Sequence, residues 1–124
     1  MSNKSKKQFG VWMDSQSATI VGQKGFDGAF IVLDNVRNAG ADGNSNENAA
    51  NNQEISLTKK FFKEIASKMQ NADEIHITGT GQIQEQFASF LNETPQYKNT
   101  KASESTSNRM SDEALTSFFI KHFN

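Results

Sequence analysis

The sequence predicts an α/β domain on a mixed five-stranded sheet, and three observations carry that prediction. Three short strand-period segments follow one another near the N-terminus with only turn residues between them, which makes an antiparallel meander. Two further strand segments then alternate with segments of helical period, the pattern of crossover units. The clearest of these units is Glu74-Ile75-His76-Ile77-Thr78-Gly79-Thr80-Gly81-Gln82, a strand that passes through a glycine turn into an amphipathic helix.

Residues 1–7 are polar and carry Lys4, Lys6 and Lys7, so they read as a disordered tail ahead of one domain over 8–124. Phe9, Val11 and Met13 alternate with Gly10, Trp12 and Asp14, giving a first strand. The turn formers Asp14-Ser15-Gln16-Ser17 lead to a second strand over 18–22, around Ile20 and Val21. Lys24-Gly25-Phe26-Asp27-Gly28 is another turn, and residues 29–33 form the third strand. Residues 37–54 contain no large apolar side chain, which predicts a mobile loop.

Ile55 to Met69 reads as a helix. Phe61, Ile65 and Met69 lie four apart on one face, widened by Phe62 and Ala66, while Lys59, Lys60, Lys63 and Lys68 take the wet side. Glu64 and Lys68 are spaced as a stabilising ion pair. After the fourth strand, Ile83, Phe87, Phe90 and Leu91 make one apolar stripe. Pro95 ends that helix, because the residue before proline is pushed out of helical angles. The polar stretch Tyr97–Thr106 fits an edge strand. Ser111 is placed to cap a last helix, whose expected buried face is Leu115, Phe118, Phe119 and His122. Right-handed crossovers place the fourth strand beside the first, giving the order 3-2-1-4-5 of ribonuclease H-like domains.

The composition excludes several classes of function. A formal net charge of −1 over 124 residues argues against a chain held on nucleic acid chiefly by electrostatics. The absence of cysteine removes disulfides, thiolate catalysis and cysteine-ligated metals. No apolar run reaches the length of a membrane span and no secretory signal is visible, so the expected location is cytoplasmic, with no membrane partner. Ten phenylalanines offset the low hydrophobic content of 35% by burying large area per residue.

Candidate chemistry is sparse. A two-metal nuclease needs clustered carboxylates. Asp14 and Glu64 are the tempting members, yet the fourth strand ends in Thr78-Gly79, and Asp14 suits a turn cap. A metal-dependent phosphodiesterase using Asp14 is therefore the alternative reading rather than the leading one. Gly79-Thr80-Gly81 fits a tight turn or a weak anion site, and no complete phosphate-binding signature accompanies it. His76 and His122, the two histidines, lack a further ligand at metal spacing and read as structural or solvent-facing. No catalytic residue, metal site or cofactor is expected.

Val11-Trp12-Met13-Asp14 with Ala18-Thr19-Ile20, the strand ending in Gly79-Thr80-Gly81, and Met110-Ser111-Asp112-Glu113-Ala114-Leu115 with Lys121-His122-Phe123 resemble a known group. They are similar to small bacterial translational machinery proteins, which resemble the middle domain of archaeal and eukaryotic peptide release factors and Pelota. The similarity spans residues 9–123. It implies a ribonuclease H-like domain and a translation-associated, non-catalytic role with the ribosome or tRNA as partner. In release factors the loop between the third strand and first helix carries Gly-Gly-Gln, which promotes peptidyl-tRNA hydrolysis. Here the 37–54 loop offers Gly40, Asp42, Gly43, Asn44, Asn46, Asn48 and Gln53 as candidate partner-binding residues, without Gly-Gly-Gln. The hydrolytic role does not carry over. Thr80 stands in place of the group's proline and Ser15 in place of its histidine. A protein-interaction module, self-associating through the edge near Tyr97–Thr106, is a further alternative.

Overall fold

Strand β1 (Gln8–Met13) lies in the middle of the sheet, and the rest of the chain is arranged around it. The computed structural model describes residues 7–24, 29–38 and 58–123. β2 (Ser17–Lys24) and β3 (Ala29–Arg37) follow β1 as an antiparallel meander. Helix α1, seen over residues 58–67, leads to β4 (Glu74–Gly79), α2 (Ile83–Glu93), β5 (Lys101–Thr106) and α3 (Asp112–Phe123). β4 pairs parallel with β1, and β5 parallel with β4. The order is β3-β2-β1-β4-β5, as the crossover rule requires.

Both faces of β1 are buried, which is why its strand period is only half the story. Phe9, Val11 and Met13 join Ile20, Ile75 and Ile77 under Phe61, Phe62 and Ile65 of α1 and Phe87 and Leu91 of α2. Trp12 points the other way and packs with Val21 against Leu115 and Phe119 of α3. Gly10 completes that second face: a Cβ there would collide with the Phe119 ring. Parallel strands covered by helices on both sides are normally apolar on both sides, and β1 obeys.

Three local details differ from the sequence reading. β3 continues through Arg37, where the mobile loop was expected to start, and Asn38 is buried. Asp34, Asn35 and Arg37 are poor strand formers, yet their ladder to β2 and the burial of Val36 carry the strand onward. The remainder of the 37–54 stretch, from residue 39, lies outside the described residues, as do residues 1–6 of the expected tail. Lys68 does not turn to Glu64 for its ion pair; its Nζ lies 2.8 Å from Asp34 Oδ2 and ties the end of α1 to β3. That hydrogen bond lowers the Asp34 carboxyl pKa and raises that of Lys68.

Tyr97 is the third detail. It belongs to a 3₁₀ turn over Pro95–Tyr97, ahead of β5. Its buried hydroxyl donates to the Ala66 carbonyl at 2.6 Å and the Met69 carbonyl at 3.5 Å, and burial raises its pKa. It thus adds a second donor to the Ala66 carbonyl, which already accepts the Met69 amide where α1 ends. Nearby Asn71 takes the left-handed conformation (φ 60°) that asparagine tolerates at helix exits.

α3 starts as the sequence predicts, with the Ala114 amide donating to Ser111 Oγ at 3.1 Å. β5 closes the sheet order, and its exposed Lys101 and Glu104 place charge on that edge. No helix among the described residues is long and apolar enough to cross a membrane.

Candidate functional site

The carboxyl ends of β1 and β4 open into a cleft of about 570 Å³, lined on one side by Asp14, Ser15 and Gln16 and on the other by Thr80–Ile83 and Gln86. Crevices at the carboxyl ends of neighbouring parallel strands are where open α/β sheets bind ligands, and this volume is in the usual range. Asp14 shapes one wall. Its Oδ1 accepts from the Gln16 amide at 2.8 Å and the Ser17 amide at 2.9 Å, the turn cap expected from the sequence. Its Oδ2 lies 3.3 Å from Arg109 Nη1, and the same guanidinium sits 5.5 Å from the centre of the Trp12 ring.

Both Asp14 oxygens are therefore engaged. Glu64 is exposed on α1 and does not line the cleft, so the two carboxylates singled out in the sequence are not brought together there. Among the described residues there is no group of three or more histidine, aspartate or glutamate side chains placed to hold a metal.

Thr80 and Gly81 belong to the opposite wall, while Gly79 is buried behind it at the end of β4. Neither glycine needs a positive φ. Gly79 is the last residue of β4, in register with Met13, and a Cβ there would collide with the Met13 carbonyl oxygen. The constraint is close backbone approach. The Gly81 amide, the donor that an anion would use, gives its hydrogen to Gln84 Oε1 at 3.2 Å.

Gln84 escaped the sequence reading. It is fully buried, and its Nε2 reaches the Gly79 carbonyl (3.5 Å), the Ser105 carbonyl (3.3 Å) and Thr106 Oγ1 (3.4 Å). One carboxamide thus clamps the ends of β4 and β5 to the first turn of α2. A signal was present: Gln84, Phe87 and Leu91 share a helical face by their spacing.

On the α3 side the two histidines meet. The His76 and His122 rings stack with centroids 3.8 Å apart. His76 is buried, with Nδ1 2.8 Å from Ser103 Oγ and Nε2 2.9 Å from Ser105 Oγ. Ser105 Oγ donates onward to Thr78 Oγ1 at 3.0 Å, and Thr78 Oγ1 lies 2.8 Å from Ser107 Oγ. Burial is the main reason that the His76 pKa falls to about 4, and the charge of His122 lowers it further. His122 itself is exposed, against the expectation of a buried position. It sits near the end of α3, where one side of its ring covers His76 and the rest meets solvent.

The candidate contact residues Gly40, Asp42, Gly43, Asn44, Asn46, Asn48 and Gln53 lie outside the described residues. Asn38, the last described residue before them, is anchored to the turn after β1. The Asn38 amide donates to the Gln16 carbonyl at 2.8 Å, and Asn38 Nδ2 donates to the Ser15 carbonyl at 2.9 Å. The described end of β3 is therefore tied to the Asp14 wall of the cleft.

No protein-family model matches the sequence, and no curated protein matches it. Solved structures do. Pelota from Archaeoglobus fulgidus superposes with a TM-score of 0.61 at 15% identity, covering 96% of this chain and 32% of that one. Pelota from Thermoplasma acidophilum gives 0.54 at 17% identity, covering 93% and 32%. An archaeal translation termination factor, aRF1, aligns over 94% of this chain at 14% identity with a TM-score of 0.49. The chain spans about a third of the length of the Pelota chains it matches. At these identities the likeness is one of fold: this chain is similar in fold to a domain-sized part of archaeal Pelota.

Proposed function

We propose that this chain acts in translation, docking in the cytoplasm on the ribosome or on a bound tRNA without catalysing hydrolysis itself. The observation that carries this reading is the fold match to Archaeoglobus fulgidus Pelota over 96% of the chain. The motif resemblance over residues 9–123 supports it independently. The contact segment is the loop over 37–54, with Gly40, Asp42, Gly43, Asn44, Asn46, Asn48 and Gln53 as its working residues. The hydrogen bond from Asn38, the last described residue before the remainder of that segment, to Ser15 of the cleft wall supports that choice. Without Gly-Gly-Gln the segment has no basis for peptidyl-tRNA hydrolysis.

Sedimentation of a cell lysate through a gradient tests the proposal. The chain is expected in ribosomal fractions, and deleting Gly40–Asn52 is expected to release it while leaving a cooperative melt. Confinement to the free-protein fractions, with and without translational stress, overturns the reading. Loss of the cooperative melt in the deletion variant would assign the segment to folding instead of contact.

A further inference from the structure

We propose that His76 and His122 form an acid-sensitive latch that holds α3 on the sheet. The helix is attached through Leu115 and Phe119 against Trp12 and Val21, flanked by Phe118 and by Phe123 stacked on Phe30 of β3, with the paired imidazoles towards its C-terminal end. His76 is set for the neutral state. Because Ser105 gives its proton to Thr78, its oxygen accepts the Nε2 hydrogen of His76, which leaves Nδ1 to accept from Ser103. A second proton on Nδ1 would force Ser103 to turn around. It would also create a cation beside the rings of Phe118 and Phe119 and against the His122 imidazole.

Among the described residues, no acidic side chain faces that charge. β5 faces His76 with the hydroxyls of Ser103 and Ser105, and β1 meets it in register with Gly10. α3 contributes Phe118, Phe119 and His122, of which His122 alone titrates, and its charge opposes protonation. Lys121, the neighbour of His122, is exposed and of the same sign, while Glu104 sits between the two serines on the opposite side of the pleat.

The docked state therefore holds the His76 pKa at about 4, below the ordinary value of 6.5 that an undocked helix would restore. The sign follows. Above pH 6.5 both states are neutral at His76 and docking is at full strength. As pH falls towards 4, only the undocked state gains the proton, and the undocked-to-docked ratio rises by up to about 300-fold. Below pH 4 the effect levels off.

Trp12, the single tryptophan, lies under α3 with its indole Nε1 donating to the Asn108 carbonyl at 3.2 Å, and so reports release. Its fluorescence is to be followed from pH 7.5 to 3.5 beside far-ultraviolet circular dichroism. The expected result is a red shift that starts below pH 6.5 while the sheet signal persists. His76→Gln should flatten the titration. His122→Phe keeps a ring and removes the charge, so it should move the midpoint to lower pH. Gly10→Ala, which forces Phe119 outward, should show the released spectrum at pH 7.5. A wild-type red shift that coincides with loss of the dichroism signal overturns the latch. So does a parent-like titration in His76→Gln or, if that variant does not fold, in His122→Phe.

Discussion

Gln84 shows how much a single buried carboxamide can organise. Replacing it with leucine preserves volume but leaves the Gly81 amide and the carbonyls of Gly79 and Ser105 without this partner. The expected cost is about 2 kcal/mol, because buried polar groups stripped of a partner retain their desolvation penalty. Urea denaturation measures it, and an unchanged midpoint for Gln84→Leu would remove the clamp from the account. At this scale the sequence was legible where chemistry is local. Asp14 capping its own turn and Ser111 capping α3 were both visible from neighbouring residues. His76 meeting His122 was not, because β4 and α3 come together only through the sheet.

Among the elements, helical stripes were the most readable. Phe61, Ile65 and Met69 are all buried; in the α2 stripe Phe87 and Leu91 are buried, while Ile83 and Phe90 are half-buried. Strand ends were less so, because ladder pairing rather than propensity carries β3 through Asp34 and Asn35. Tyr97 belongs to this scale as well: it reads as polar strand but joins the 3₁₀ turn after α2 to the end of α1 across 31 residues of sequence. Tyr97→Phe is expected to lower stability by about 1 kcal/mol through the lost hydroxyl bond. The amides of Lys68 and Met69, which close the last turn of α1 onto Ile65 and Ala66, should exchange faster in the variant. Unchanged protection at those two amides would show that the hydroxyl does not hold the turn.

For the molecule as a whole, the strand order was readable because crossover handedness leaves few choices once the element sequence is known. The cleft was only half readable: Asp14 and Gly79-Thr80-Gly81 were both singled out, but their facing each other depends on the parallel pairing of β1 with β4. That pairing has a consequence in time. β1 finds β2 within a few residues, Met13 opposite Ala18, but Gln8 waits for Glu74. During synthesis the meander therefore emerges with the future β4 side of β1 bare, a template for pairing with another chain. In refolding, pulse-labelled exchange should protect Ile20 and Val21 before Ile75 and Ile77, since distant closures form late. Simultaneous protection would mean that the meander cannot stand alone. Otherwise the most central strand of the finished sheet spends the early life of the nascent chain as its most exposed edge.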